Sequence, residues 1–239
     1  MKKNINFHFL IISLFVLLIM MNIIWQSFAK QLITTSMEPF SYGEHDANPD
    51  TSEINGKKRV ALTFDDGPHP VYTLKLLEGL KQRGVKATFF VIGLNVKEYP
   101  EVVKQMSDEG HIIGNHTYSH VQLSCISESK ASEEISMTNA LIEEYTGKKV
   151  QYIRPPYGSL PKSLQRETDL IPVLWTVDPR DWSVLNTDAV VKHILSHVKD
   201  GDIILLHDIF ETSVDAALII VDQLTKEGYE FVTVDELVH

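Results

Sequence analysis

Short apolar runs alternate with amphipathic stretches along residues 58–239. The runs are rich in β-branched and aromatic residues and span residues 59–64, 86–93, 111–115, 150–155, 171–177, 202–207 and 229–234. Between them, apolar residues recur at the three- and four-residue spacing of helices. Strands that are apolar on both faces and joined by helices predict a parallel sheet covered by helices. Seven such units can close into a barrel or stay open as a doubly wound sheet.

A different pattern precedes this domain. Residues 7–24 are nearly all apolar and follow two lysines, and residues 27–29 form a tripeptide like those at secretory cleavage sites. A run of about 18 apolar residues can also span a bilayer. Residues 1–29 are therefore expected to be a signal peptide or a membrane anchor, with residues 5–25 in the membrane if uncleaved. The length of the run favours the anchor, and either alternative exports the remaining chain.

The composition between and beyond these segments narrows the possible partners. Residues 30–57 lack a sustained period and are rich in small polar residues and proline, which is typical of a linker. The whole chain carries 22 basic and 32 acidic side chains, which argues against a nucleic-acid partner. Cys125 is the single cysteine, so no intrachain disulfide can form, and a buried or half-buried thiol is expected there.

Reactive side chains follow five of the seven predicted strands. They are Asp65 and Asp66, the segment 115–120, the segment 154–158, the segment 178–182, and His207. Active sites of parallel α/β folds lie at the carboxyl ends of the strands, so these residues are expected on one rim. No glycine-rich phosphate-binding motif follows any strand, which disfavours a nucleotide site.

Two pairs of histidines have the i, i+4 spacing that lets both imidazoles face one metal ion. His193 and His197 lie in a predicted helix beside its apolar stripe and are interpreted as a solvated face, with metal binding the less favoured alternative. His116 and His120 follow a strand end, where Gly114 lets the backbone turn. Together with one carboxylate they would complete a three-ligand catalytic zinc site.

The adjacent carboxylates Asp65 and Asp66 would repel each other unless a cation lies against one of them. Consecutive side chains of an extended strand point in different directions, so one can bind the metal while the other accepts a proton. The alternative is a turn at Asp66 and Gly67 with incidental charges, which would leave the two histidines unexplained.

Five motifs together resemble the polysaccharide deacetylases of carbohydrate esterase family 4, the NodB-like domain. They are TFDDG, HTYSH, RPPYG, DPRDW and LLH, in this order, and the resemblance covers about residues 58–238. It implies a distorted (β/α)7 barrel over residues 58–239. It also implies that Asp66, His116 and His120 are metal ligands and that Asp65 is the general base.

The same resemblance implies roles for the remaining motif residues. Arg154 would hold Asp65, and His207 would be the general acid, tuned by Asp181. The backbone N–H of Tyr157 would donate to the oxyanion. The substrate pocket would include Pro155, Trp182 and Leu205. Tyr157 and Trp182 are expected to stack on a sugar, whereas Trp175 is expected in the core.

The resemblance implies a metal-dependent hydrolase that removes N-acetyl groups from N-acetylglucosamine units of a cell-wall polysaccharide. Peptidoglycan is the preferred substrate and a chitin-like oligosaccharide an alternative, and zinc is the expected metal, with cobalt or another divalent cation as alternatives. The rivals are an O-acetyl esterase acting on xylan or another glycan, a noncatalytic glycan-binding module, and a scaffold domain. The domain is expected outside the cell, anchored in the membrane, or secreted if cleaved after Ala29.

Overall fold

The computed structural model describes residues 56–238. Within them, one sheet contains seven strands: β1 (Lys58–Asp65), β2 (Thr88–Val91), β3 (Ile112–Asn115), β4 (Tyr152–Ile153), β5 (Ile171–Pro172), β6 (Ile203–His207) and β7 (Tyr229–Val232). Every strand pairing is parallel. The predicted count of seven strands is confirmed, although most strands are shorter than the apolar runs.

The α-helices of the described residues surround this sheet. They are α1 (Tyr72–Gln82), α2 (Gly93–Glu98), α3 (Pro100–Asp108), α4 (Glu128–Thr146), α5 (Lys162–Glu167), α6 (Asp181–Val184), α7 (Thr187–His197) and α8 (Glu211–Lys226). Local sequence sets several of their ends. Ser127 caps α4 by accepting the N–H of Lys130, Gly147 ends it at φ 67°, and Asn186 caps α7.

The sheet is curled around β1. Its order is β5-β4-β3-β2-β1-β6, and β7 also pairs with the first half of β1. The chain beyond β5 then forms a parallel bridge from Val177 to Ile204 of β6, which brings the two sides of the sheet together. This curled sheet with its helices is the distorted (β/α)7 barrel that the motifs predicted, and an open doubly wound sheet is excluded.

The core lies between the sheet and the helices. Residues 60–65 of β1 are all buried, and Phe64 stacks on Phe89 of β2 with ring centroids 5.2 Å apart. The buried face of α8 includes Val214, Ala217 and Val221. Full burial of one such aliphatic or aromatic side chain contributes about 1.5–3 kcal/mol. The core therefore holds the strand ends in fixed positions relative to one another.

The fifth strand differs most from its prediction. The apolar run 171–177 forms a strand only over Ile171–Pro172. Arg154 takes the next two carbonyls, since its guanidinium donates to Val173 O at 3.0 Å and to Leu174 O at 3.1 Å. These carbonyl groups are satisfied by a side chain, so the segment leaves the regular ladder.

Several expectations fall outside these elements. The apolar run 7–24 and the linker up to residue 55 lie outside the described residues. Within residues 56–238, the helices are too short or too polar to cross a bilayer. Cys125 is exposed, contrary to the expected burial, because it lies in a short 3₁₀ turn (Leu123–Cys125) in which only Leu123 points inward.

Candidate active site

The carboxyl ends of the strands open into a cavity of about 530 Å³. It is lined by Asp65, Asp66, His116, His120, Pro155, Tyr157, Trp175, Asp178, Trp182, Leu205, His207 and Phe210. Nine of the eleven residues singled out in the sequence lie in this lining. The other two, Arg154 and Asp181, are fully buried directly behind Asp65 and His207.

Asp66, His116 and His120 form one compact group of potential metal ligands. Asp66 Oδ1 lies 3.4 Å from His116 Nε2 and 3.3 Å from His120 Nε2. All three ligand atoms lie within 4.8 Å of one another. Two imidazole nitrogens and one carboxylate oxygen are the donor set of many catalytic zinc sites.

The protonation and bonding of this group fit a cation. Asp66 Oδ1 is buried and has no hydrogen-bond partner among the described residues. His116 Nδ1 lies 2.5 Å from the carbonyl of Arg154, so Nδ1 carries the proton and Nε2 presents its lone pair to the cavity. Burial lowers the pKa of His120, which favours the neutral ligand form. Burial opposes ionisation of Asp66, but the nearby imidazoles outweigh it and lower its pKa.

Unusual backbone angles aim these side chains. Asp66 has φ 74°, so it leaves the direction of β1, and the Asn95 side chain donates to its carbonyl at 2.7 Å. His116 and His120 lie on an irregular loop after β3, not on a helical turn, and His120 has φ 57°. The two imidazoles therefore come together because the loop bends through left-handed residues, and not because they share one face of a helix.

Asp65 occupies a different environment from its neighbour. It is buried, and its Oδ1 accepts a hydrogen bond of 2.8 Å from Arg154. Its Oδ2 lies 3.8 Å from His116 Nε2, facing the ligand group. Arg154 is held by Thr63 Oγ1 at 2.8 Å and by Phe90, whose ring centroid lies 4.2 Å from the guanidinium carbon. A guanidinium fixed in this way orients the Asp65 carboxylate and leaves its Oδ2 facing the ligand group.

His207 ends β6 on the opposite part of the lining and is paired with Asp181. The Asp181 carboxylate accepts both the ring Nδ1–H and the backbone N–H of His207, each at 2.8 Å. Burial alone would lower the pKa of His207, but the bond and charge of Asp181 outweigh it and raise the pKa to about 9. The ring is therefore an imidazolium at neutral pH, with Nε2 4.0 Å from Asp66 Oδ2.

The walls of the cavity combine apolar and aromatic side chains. Leu205 is buried in β6, and Pro155 precedes the 3₁₀ turn Pro156–Gly158, in which Tyr157 has φ 60°. The Tyr157 ring lies 5.3 Å from the His120 ring and is 68% exposed. Trp182 in α6 is 53% exposed. Both aromatic side chains are thus open to a ligand that enters from solvent.

Three residues of the lining were given no role of their own in the site by sequence reasoning. Trp175, expected in the core, is half-buried and lines the cavity, because the chain leaves the sheet after β5. Asp178 and Phe210 also line it. Asp178 begins the DPRDW motif, and Phe210 follows His207 by three residues, so nearness to a motif was the available signal.

Comparison with known proteins agrees with this arrangement. The family model described as Polysaccharide deacetylase matches residues 52–172. The peptidoglycan-N-acetylmuramic acid deacetylase PdaC of Bacillus subtilis is 42% identical over 181 residues, covering 76% of this chain and 39% of PdaC. The solved structure of PdaC superposes with a TM-score of 0.74 and covers 76% of this chain and 90% of that chain.

Two further proteins frame the comparison. A peptidoglycan-N-acetylglucosamine deacetylase of Bacillus cereus is 38% identical, covering 84% of this chain and 76% of the relative. A family 4 acetyl xylan esterase of Clostridium thermocellum, solved with cobalt, is 37% identical with a TM-score of 0.71, covering 75% of this chain and 90% of that chain. This chain spans about two fifths of the length of PdaC.

Proposed function

Because the chain belongs to the polysaccharide deacetylases of carbohydrate esterase family 4, we propose that it is a metal-dependent hydrolase of N-acetylated cell-wall glycans. Its preferred substrate is peptidoglycan, deacetylated at N-acetylglucosamine units. The observation that carries this proposal is the presence of a base and an acid around one ligand group. Asp65 Oδ2 lies 3.8 Å from His116 Nε2, and His207 Nε2 lies 4.0 Å from Asp66 Oδ2.

Asp66, His116 and His120 would hold the divalent cation. Zinc is the preferred ion given this donor set, and the cobalt in the related esterase structure supports cobalt as the alternative. When bound, such an ion supplies Lewis-acid chemistry, which polarises a carbonyl oxygen and brings the pKa of water toward about 7.

Asp65 is the general base of the proposed reaction. As the oxygen of the attacking water adds to the amide carbonyl carbon, Asp65 accepts a proton from that water. Arg154 orients the carboxylate through its 2.8 Å bond to Oδ1, leaving Oδ2 to take the proton. The backbone N–H of Tyr157 donates to the carbonyl oxygen as it gains negative charge, and one such donor is commonly worth about 100- to 1,000-fold in rate.

His207 is the general acid. It gives its Nε2 proton to the departing nitrogen, the carbon–nitrogen bond breaks, and the products are acetate and a free amino sugar. Its pKa of about 9 keeps it protonated at neutral pH, and Asp181 stabilises the imidazolium. The exposed Tyr157 and Trp182 rings would stack on sugar units next to the reacting one, with Pro155 and Leu205 forming part of the pocket wall.

Acetate release from purified peptidoglycan tests this function. The chain should release acetate from peptidoglycan and from N-acetylglucosamine oligomers, a chelator should abolish the release, and added zinc or cobalt should restore it. Identifying the deacetylated sugar by mass spectrometry separates N-acetylglucosamine from N-acetylmuramic acid, since relatives named for each are about equally similar. Release that persists without metal would refute the proposal.

An O-acetyl esterase is the second candidate, favoured by the likeness to the acetyl xylan esterase. An alcohol leaves more readily than an amine, so ester cleavage depends less on the acid His207. Acetylated xylan cleaved faster than N-acetylated oligomers, with little loss on changing His207→Gln, would favour the esterase.

We also propose that the chain is anchored in the membrane, with its catalytic domain outside the cell. The apolar run 7–24 after two lysines supports an anchor with the catalytic domain on the extracellular side. An anchored chain stays in the membrane fraction through high-salt washing. Recovery of a soluble chain beginning at Lys30 would instead show cleavage after Ala29.

A further inference from the structure

The loop that carries His116 and His120 has a demanding backbone. Thr117 has φ 63° and His120 has φ 57°. The left-handed region is unfavourable for residues other than glycine, and most of all for β-branched ones such as Thr117. Such conformations persist where surrounding contacts determine them. The loop therefore needs partners outside itself to hold both imidazoles in place.

Glu134 of α4 supplies three of these contacts, all between the two histidines. Its Oε2 accepts the backbone N–H of Tyr118 at 2.9 Å and that of Ser119 at 2.7 Å. Its Oε1 accepts the hydroxyl of Ser119 at 2.8 Å. Glu134 is half-buried, and each of its two oxygens accepts at least one hydrogen bond from the loop.

Other hydrogen bonds hold the remaining backbone groups of the loop. Asn115 accepts the N–H of Thr117 at 2.7 Å and is itself held by the carbonyl of Ile135, again on α4. The carbonyls of Thr117 and Tyr118 accept N–H groups at the start of α2. The amide groups of Tyr118 and Ser119 thus depend on Glu134, whereas the carbonyl groups are held from another helix.

We infer that Glu134 is a positioning residue that fixes the left-handed loop and so sets the geometry of the two histidine ligands. The inference rests on the proposed metal site. We further infer that the Glu134 side chain acts because it is long enough to accept hydrogen bonds from the loop, and not because it carries a negative charge. A charge effect on the cation is the competing explanation.

Two substitutions separate the effect of side-chain length from the effect of charge. Glu134→Gln removes the charge but keeps the length, and its amide oxygen can accept both N–H groups while its NH₂ donates to Ser119 Oγ. Glu134→Asp keeps the charge but is one methylene shorter. Glu133→Gln is the matched control, because Glu133 is exposed on the same helix and its side chain makes no hydrogen bond within residues 56–238.

The measurements are zinc affinity, by competition with a chromophoric chelator, and amide hydrogen exchange of the metal-free protein. Glu134→Asp should weaken zinc binding by about 10- to 100-fold, the usual cost of losing a group that orients a ligand. It should also speed exchange at Tyr118 and Ser119. Glu134→Gln and Glu133→Gln should resemble the wild type in both measurements. A residue with a purely structural role would lower the melting temperature without this change in affinity.

Wild-type affinity in Glu134→Asp, or equal losses in Glu134→Asp and Glu134→Gln, would overturn the inference. If Glu134→Asp does not fold, Ser119→Ala serves instead, since it removes one of the three bonds at an exposed side chain and should weaken zinc binding by a smaller factor. Unchanged affinity in that variant would count against Glu134. A wild-type protein that binds no zinc would refute the proposed function, and the exchange rates would still test the contact.

Discussion

Two histidine pairs with the same i, i+4 spacing have different surroundings in this protein. His116 and His120 lie on a left-handed loop, with ring centroids 5.1 Å apart and a tilt of 51°. His193 and His197 lie on the regular helix α7, with ring centroids 4.3 Å apart and stacked at 21°. The His197 Nδ1 lies 2.7 Å from the carbonyl of His193, so this ring is bonded within its own helix.

The third ligand separates the two pairs. Asp66 Oδ1 lies within 3.4 Å of both imidazoles of the first pair. Asp178 and Asp202 line a cavity beside the second pair. Within residues 56–238, however, only Asp66, His116 and His120 bring three potential ligand atoms within 4.8 Å. Spacing along the chain thus sets which imidazoles can lie side by side, and within residues 56–238 a carboxylate from another strand completes a group of three ligand atoms with the first pair alone.

The largest effect is expected from removing one member of the group formed by Asp66, His116 and His120. His120→Ala and Asp66→Asn should each lose most of the bound metal and nearly all activity, because each removes a ligand and even orienting groups cost about 10-fold or more. His197→Ala should keep both, since within residues 56–238 that ring belongs to no group of three converging ligand atoms. Metal content by mass spectrometry and acetate release measure the two effects. Full metal occupancy in His120→Ala, or a loss in His197→Ala, would reverse the comparison.

The next effect separates ligand from base among the adjacent carboxylates. Asp65→Asn should keep the metal while activity falls by about 100- to 10,000-fold, the usual contribution of a general base. Asp66→Asn, its matched partner, should lose the metal. Metal lost only with Asp65→Asn would mean that the roles are exchanged. Equal metal loss in both would mean that both bind it, and the base would then be sought elsewhere in the lining, because the Asp181 carboxylate named by the sequence is buried behind His207.

The smallest effect concerns His207. Its protonated form depends on the carboxylate of Asp181. Asp181→Asn removes the group that raises the His207 pKa, so burial should then lower this pKa. The alkaline limb of the kcat/KM profile, where His207 loses its proton, should move to lower pH by about one unit or more. An unmoved limb would show that another group donates the proton.

The His207–Asp181 pair also makes the stability of the folded protein depend on pH. The folded-state pKa of His207 is about 9, above its ordinary value of 6.5. Its stabilising contribution is therefore complete below about pH 6.5 and is lost as the pH rises through about 9. Asp181→Asn should remove this part of the pH dependence, and denaturant unfolding at several pH values measures it.

Much of the fold could be predicted because its signals are local. The seven apolar runs and the helical spacing between them predict a parallel sheet covered by helices, and the motifs after five of these runs predict one rim. The barrel was implied by the resemblance of those motifs to a known family. The failures have tertiary causes. The fifth strand is shortened by the side chain that directly follows β4, since Arg154 takes the carbonyls of Val173 and Leu174. Trp175 then lines the cavity, where its surrounding sequence suggested core.

The sequence by itself determined which reactive side chains meet, because parallel strands bring their carboxyl ends to one edge whatever the details of the sheet. Only the tertiary structure decided their geometry. The 2.8 Å bond from Arg154 to Asp65 joins residues 89 positions apart, and Asp66 reaches both imidazoles only because the sheet sets β3 at a fixed distance from β1. The pKa of His207 likewise depends on burial and on Asp181, which arrives on a separate helix. Distances across a curled sheet and the exclusion of water are properties of the packed chain, and no local pattern encodes them.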